Sequence, residues 1–126
     1  MTHTVVYNPG LGIIETTAQG TLTLSEAKEI ILEIAQLGKE KNCYLCLSGY
    51  REAAVDMTTL QIHDLPEVVT NTVNSLGLRP GQFKRAIVVK HSFPDYRFFE
   101  TVTLNPGQNI RLFEDTDEAK KWLLLA

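Results

Sequence analysis

Ala86-Ile87-Val88-Val89 is a run of four apolar residues, closed by Lys90-His91-Ser92. A strand with one wet face alternates apolar and polar side chains, so an unbroken run marks a strand buried on both faces, as in the middle of a parallel sheet. Parallel strands cannot be joined by a tight turn; they need long crossovers, usually helices. This run therefore demands amphipathic helices on either side of it in the chain.

The sequence supplies them. Val5-Val6-Tyr7 leads into Asn8-Pro9-Gly10, with Pro presetting one turn dihedral and Gly10 taking the positive one, and Ile13-Ile14 resumes an extended pattern. This predicts an antiparallel hairpin. After Gly20, Thr23 and Glu26 stand in capping-box register, with Ser25 as an alternative cap, and Ala27, Ile30, Ile31, Ile34 and Leu37 form one helical stripe. Cys43 to Ser48 reads as a buried strand, and Gly49 to Asp56 as a polar loop. Thr58 opens a second helix. Asp64 and Glu67 repeat the capping register around Pro66, so that helix is expected to break and restart there, with Leu65, Val68, Val69, Val73 and Leu76 facing inward and Gly77 ending it.

After the apolar run, a helix is expected from about Asp95 to Leu104, stopped by Asn105-Pro106-Gly107. Ile110 to Phe113 is the last strand. Asp115 and Glu118 suit the N-terminal end of a final helix with Ala119, Trp122, Leu123 and Ala126 on its apolar face. The expectation is one α/β domain over residues 1–126. It has a mostly parallel mixed sheet of about five strands, an N-terminal antiparallel hairpin and about four helices.

At 126 residues a single domain buries roughly two-thirds of its unfolded surface, enough for one core. The net charge of -3 with scattered Lys and Arg provides no basic stripe, which argues against nucleic acid as a partner. No apolar run approaches the ~18 residues of a membrane span. The N-terminal Met-Thr-His-Thr has no basic segment followed by an apolar one, so the expected location is cytoplasmic.

Several residue groups resemble chemistry. Cys43-Tyr44-Leu45-Cys46 has the spacing of a metal or redox pair. Residues three apart on a strand point to opposite faces, however, and such pairs work at helix N-termini, so two buried core cysteines are expected. Zinc would need two further ligands, and His3, His63 and His91 are dispersed, so no metal or other cofactor is expected. Lys90-His91-Ser92 with Asp95 contains the residue types of a hydrolase triad, but within one loop and without a Gly-x-Ser-x-Gly elbow. Pro9-Gly10-Leu11-Gly12 belongs to the hairpin, so no phosphate-binding loop is present. The expectation is a non-enzyme. Tyr96, Phe98 and Phe99 form an aromatic cluster that reads as core packing, with a pocket or dimer contact as the alternative.

The C-terminal edge of the sheet is where open α/β folds place ligands. There the sequence gathers Tyr50, Arg51, Glu52 and Asp56 from one loop and Lys90, His91 and Ser92 from another. Tyr50, Arg51, Lys90, His91 and Ser92 are the candidate ligand-binding residues, with Arg51 and Lys90 suited to an anion.

Gly20-Thr21-Leu22-Thr23, Asp64-Leu65-Pro66-Glu67 with Leu76-Gly77-Leu78, Phe98-Phe99-Glu100-Thr101, and Phe113-Glu114-Asp115 leading to Ala119 and Trp122-Leu123 follow one another along the chain. Together they resemble a bacterial family of small proteins with the fold of anti-sigma-factor antagonists, the STAS domains, more distantly similar to the CRAL-TRIO lipid-transfer fold. The resemblance implies a protein-binding regulator, for which self-association is a second expected mode; the alternative expectation, from the residues at the C-terminal edge of the sheet, is a carrier of a small apolar or anionic ligand. It also implies a phosphorylation switch where the third strand meets the second helix. Asp56 and Leu60 match that pattern, but Met57 stands where the phosphorylated Ser would be. Thr58 is the neighbouring hydroxyl and the candidate phosphosite; as a residue it reads first as a helix N-cap.

Overall fold

The computed structural model describes residues 2–90 and 109–125. Strands β1 (Thr2–Asn8), β2 (Ile13–Leu22), β3 (Leu45–Val55), β4 (Lys84–Val88) and β5 (Asn109–Phe113) form one sheet in the order β1-β2-β3-β4-β5. Only β1 and β2 pair antiparallel; the remaining neighbours are parallel. Helices α1 (Leu24–Lys41), α2 (Thr59–Asn74) and α3 (Thr116–Leu123) complete the described elements, with a 3-10 turn at Pro80–Gln82. The helix expected from Asp95 to Leu104 and its aromatic cluster Tyr96, Phe98 and Phe99 lie outside the described residues.

The hairpin closes through Asn8, whose carbonyl accepts from the Gly12 N–H at 2.8 Å and whose side chain accepts from the N–H groups of Gly10 and Leu11. The positive dihedral falls on Gly12, at φ 68°, and not on Gly10. The turn is one of five residues, wider than Asn8-Pro9-Gly10 alone.

Helix α1 starts as its sequence predicts, with the Glu26 N–H donating to Thr23 Oγ1 at 3.2 Å. Its stripe of Ala27, Ile30, Ile31, Ile34, Ala35 and Gly38 is buried. With α2 it covers the sheet face formed by Ile14, Ala18, Cys46, Tyr50, Ile87 and Val89. The opposite face carries a smaller cluster in which Ile13, Leu47, Ala86 and Val88 pack against Ala119 and Leu123 of α3. Val88 and its neighbours are thus buried on alternating sides, which is the physical meaning of the unbroken apolar run.

Two local expectations are corrected. Helix α2 runs continuously through Pro66, without the predicted break. Leu65, Val69 and Val73 fall on one buried stripe at i, i+4 and i+8, so packing of the whole helix outweighs the hydrogen bond lost at the proline. Strand β3 extends to Val55, through most of the predicted loop. Between the pairs Thr17–Gly49 and Gln19–Glu52, β3 gains one residue on β2. That bulge lets Tyr50 and Ala53 both reach the core while Arg51 and Glu52 face outward, so polar residues there do not end the strand.

Candidate functional site

The C-terminal ends of β3 and β4 lie side by side, with Gly49 paired to Val88. This brings the predicted binding segments to one edge, but strand alternation divides their side chains between the two faces. Tyr50 points into the core and is only 7% exposed. Burial pushes its hydroxyl pKa up, partly opposed by the nearby charge of Arg85. Arg51 and Glu52 are exposed on the other side, and Lys90 Nζ lies 3.4 Å from Glu52 Oε1. Of the candidate ligand-binding residues, Arg51 and Lys90 therefore share a surface from which Tyr50 is excluded. His91 and Ser92 lie outside the described residues.

A groove of about 310 Å³ opens on this outward face, lined by Glu15, Thr17, Arg51, Glu52, Thr116 and Lys120 among others. Among the described residues, α3, eight residues long, packs on this face over β3 to β5, and the far ends of β2 and β3 extend beyond it. Among the described residues, two basic and two acidic side chains line it.

The same edge carries the start of α2. The Asp56 N–H donates to the Leu22 carbonyl at 2.8 Å, fixing the chain as it leaves β3. Thr58 then caps the helix: the Gln61 N–H donates to Thr58 Oγ1 at 3.1 Å and the Thr58 N–H donates to Gln61 Oε1 at 3.0 Å. This reciprocal pair satisfies two backbone donors at the helix end. Met57 packs partly against the core. Leu60, in the first turn, is 69% exposed, the most exposed large apolar side chain of the described core elements.

Cys43 and Cys46 are both buried free thiols. Cys43 precedes β3 and so escapes strand alternation: the two join the same core cluster, contrary to the expectation of opposite faces. Cys43 Sγ donates to the Gly12 carbonyl at 3.2 Å. Burial pushes the Cys46 thiol up to about 12, against a lowering influence from Arg85, so it is no nucleophile at neutral pH.

Two groupings went unread in the sequence. His3, on β1, meets Glu26, Glu29 and Glu33 of α1, with Nε2 2.6 Å from Glu33 Oε2 and Nδ1 3.7 Å from Glu26 Oε2. His3, Glu29 and Glu33 are, among the described residues, the group whose donor atoms stand close enough together to ligate a cation. The second is Arg85, nine-tenths buried on the core face of β4. Its signal was available: in Lys84 to Val89, period-two alternation aligns Arg85 with Ile87 and Val89.

No protein-family model and no curated relative matches the sequence. Solved structures do match in shape. An uncharacterised DUF3478-family protein with a SpoIIAA-like fold, from Shewanella loihica, is 17% identical over 97% of this chain and 92% of that one, with a TM-score of 0.59. An anti-sigma factor antagonist from Mycobacterium paratuberculosis is 10% identical, covering 97% and 94% of the two chains, at a TM-score of 0.60. The Bacillus cell fate determinant SpoIIAA in its phosphorylated form is 10% identical, covering 97% and 99%, at 0.53. At these identities the likeness establishes the fold, which is SpoIIAA-like.

Proposed function

We propose that this chain is a non-enzymatic regulatory module that binds a protein partner through the edge where β3 meets α2. The observation that carries this reading is Leu60, exposed in the first turn of α2 and flanked by the polar residues Asp56, Thr58 and Thr59. An apolar anchor within a polar rim is the usual make-up of a protein-binding patch. The fold shared with anti-sigma factor antagonists supports a regulatory role. Met57, in place of the hydroxyl that the STAS pattern has there, leaves Thr58 as the candidate phosphosite.

The experiment compares wild-type bait with Leu60→Glu bait in affinity purification from a native extract, with light scattering to read self-association. A partner, or a dimer, present with wild type and lost with Leu60→Glu supports the reading. Recovery of neither, or equal recovery with both, overturns it.

A second reading, carriage of a small anionic ligand at the same edge, rests on the 310 Å³ groove beside Arg51 and Lys120. Native mass spectrometry that finds wild-type protein ligand-free, with no thermal shift across a nucleotide and lipid panel, would remove it.

A further inference from the structure

The sheet ends on one side at β5 and on the other at β1, and the two edges are built differently. Strand β5 is five residues long and carries Arg111 in its middle. Short length and central charge are the usual guards against an edge pairing with another chain. Strand β1 has neither. It is seven residues without Lys, Arg or Pro, and it pairs with β2 in unbroken register, with no bulge. At about 3.3 Å per residue it presents roughly 23 Å of strand. Among the described residues no strand pairs with its outer side, where every second residue offers both its N–H and its carbonyl.

A groove of about 300 Å³ runs between that edge and α1. Val5 and Leu37, both packed against the core, supply its apolar lining, and His3, Glu33, Gln36 and Glu40 surround them. Glu33 and Glu40 stand two helical turns apart on one face of α1. Glu26 and Glu29, also within reach of His3, continue the acidic row toward the start of the helix. Glu33 is engaged by His3, whereas Glu40 has no ion-pair or hydrogen-bond partner among the described residues. Lys41 of α1 lies over the Tyr7 ring, 5.8 Å from its centroid, outside the lining of the groove.

We propose that the β1 edge takes up an extended segment of a partner protein as a further strand, with Lys or Arg at alternate positions. Side chains of an added strand alternate between the two faces of the sheet. Those on the α1 side meet Glu33 and Glu40, so basic residues belong there. Those on the other side lie beside Val6, which is 52% exposed, and an apolar residue fits there. Main-chain bonds supply affinity and the alternating side chains supply selectivity, as in other strand additions. A second copy of this chain is a poor occupant. Antiparallel pairing of β1 with its own copy, about a two-fold axis perpendicular to the sheet, puts both α1 helices on one face, acidic row against acidic row. Leu60 belongs to the start of α2, away from β1, so this surface and the one proposed above are tested separately.

The test is a backbone-amide NMR titration with a terminally capped hexapeptide alternating Lys and Val. One control peptide has Glu in place of Lys; the other keeps Lys and Val but is N-methylated at every residue, so that it retains its charge and cannot pair as a strand. The Lys-Val peptide is expected to perturb the amides of β1 and of Gln36 to Glu40, and to bind roughly tenfold tighter than either control. Glu40→Lys should weaken it roughly fivefold, and Val6→Lys, which places a guard on the exposed edge, at least as much. The proposal is overturned if the β1 amides stay unmoved at millimolar peptide, if either control binds as tightly, or if either variant binds as wild type does. Light scattering of the free protein covers the other occupant: a dimer dissolved by Val6→Lys would show β1 paired with its own copy and overturn the proposal as well. Should a variant not fold, the three wild-type titrations still decide.

Discussion

His3 and Glu33, thirty residues apart, are joined by a 2.6 Å contact between the imidazole Nε2 and a carboxylate oxygen. The contact ties β1, the edge strand, to the middle of α1. Glu26 and Glu29 stand close by, so the imidazole sits among three carboxylates on the same side of the helix. Replacing His3 by Ala should therefore destabilise the protein by about 1 kcal/mol. Low salt should enlarge the loss, because the carboxylates then repel unscreened. Denaturant melts at two ionic strengths measure it, and amide exchange should show the loss concentrated in β1. Equal stability at both salt concentrations would refute the clamp.

The reciprocal Thr58–Gln61 cap makes a second prediction. Thr58→Ala should cost about 1 kcal/mol by freeing the Gln61 backbone N–H at the start of α2, and Gln61→Ala, which frees the Thr58 N–H, somewhat less. Partner binding should survive Thr58→Ala, since Leu60 supplies the contact. Thr58→Glu should abolish partner binding while Thr58→Ala, which loses the same cap, keeps it; if Thr58→Glu binds as wild type does, a switch at Thr58 is absent.

The order of elements was legible because it depends on periodicity: the stripe from Ala27 to Leu37 and the run from Ala86 to Val89 each admit one secondary structure. The errors arose where tertiary packing overrode local signals. Asp64-Leu65-Pro66-Glu67 carries a valid capping signal, but the buried line through Leu65, Val69 and Val73 keeps α2 whole. Arg51 and Glu52 look like loop residues because a bulge, which no local pattern announces, turns them to solvent. The same bulge explains the candidate site. Gathering Arg51 and Lys90 at one edge follows from parallel topology, whereas the assignment of Tyr50 to the opposite face needs the register of β3. His3 and the glutamates of α1 could not be linked from sequence, since only the hairpin and its packing against α1 bring them together.

Gly38 makes a third prediction. A Cβ there would sit 2.8 Å from the Cys43 carbonyl and 3.1 Å from the Phe83 ring, and the carbonyl belongs to backbone that cannot swing away. The Gly38 carbonyl also accepts the N–H groups of Asn42 and Cys43 where α1 ends. Gly38→Ala should therefore destabilise by about 1 to 3 kcal/mol through overpacking, despite the better helix propensity of alanine. Urea denaturation measures it, and a stabilised variant would show that the close approach is relaxed in solution.

Cys46 sets the alkaline behaviour. Its thiol is raised from 9.0 to about 12, mainly by burial. The unfolded chain therefore ionises first as pH rises, and the folded state loses stability between about 9 and 12. For this one group the loss is of the order of 4 kcal/mol once both states are ionised. Tyr50, also raised by burial, acts in the same direction from pH 10 upward. Below pH 9 neither group contributes any slope. The measurement is urea-unfolding free energy at pH 8, 10 and 11 for wild type and Cys46→Ala. The substitution should flatten the decline above pH 9, although it lowers stability at pH 8 by opening a small cavity. At pH 8, native Cys46 should resist alkylation by iodoacetamide while the urea-unfolded protein reacts readily. Rapid native alkylation of Cys46, or parallel declines for the two proteins, would contradict a thiol sealed in the core.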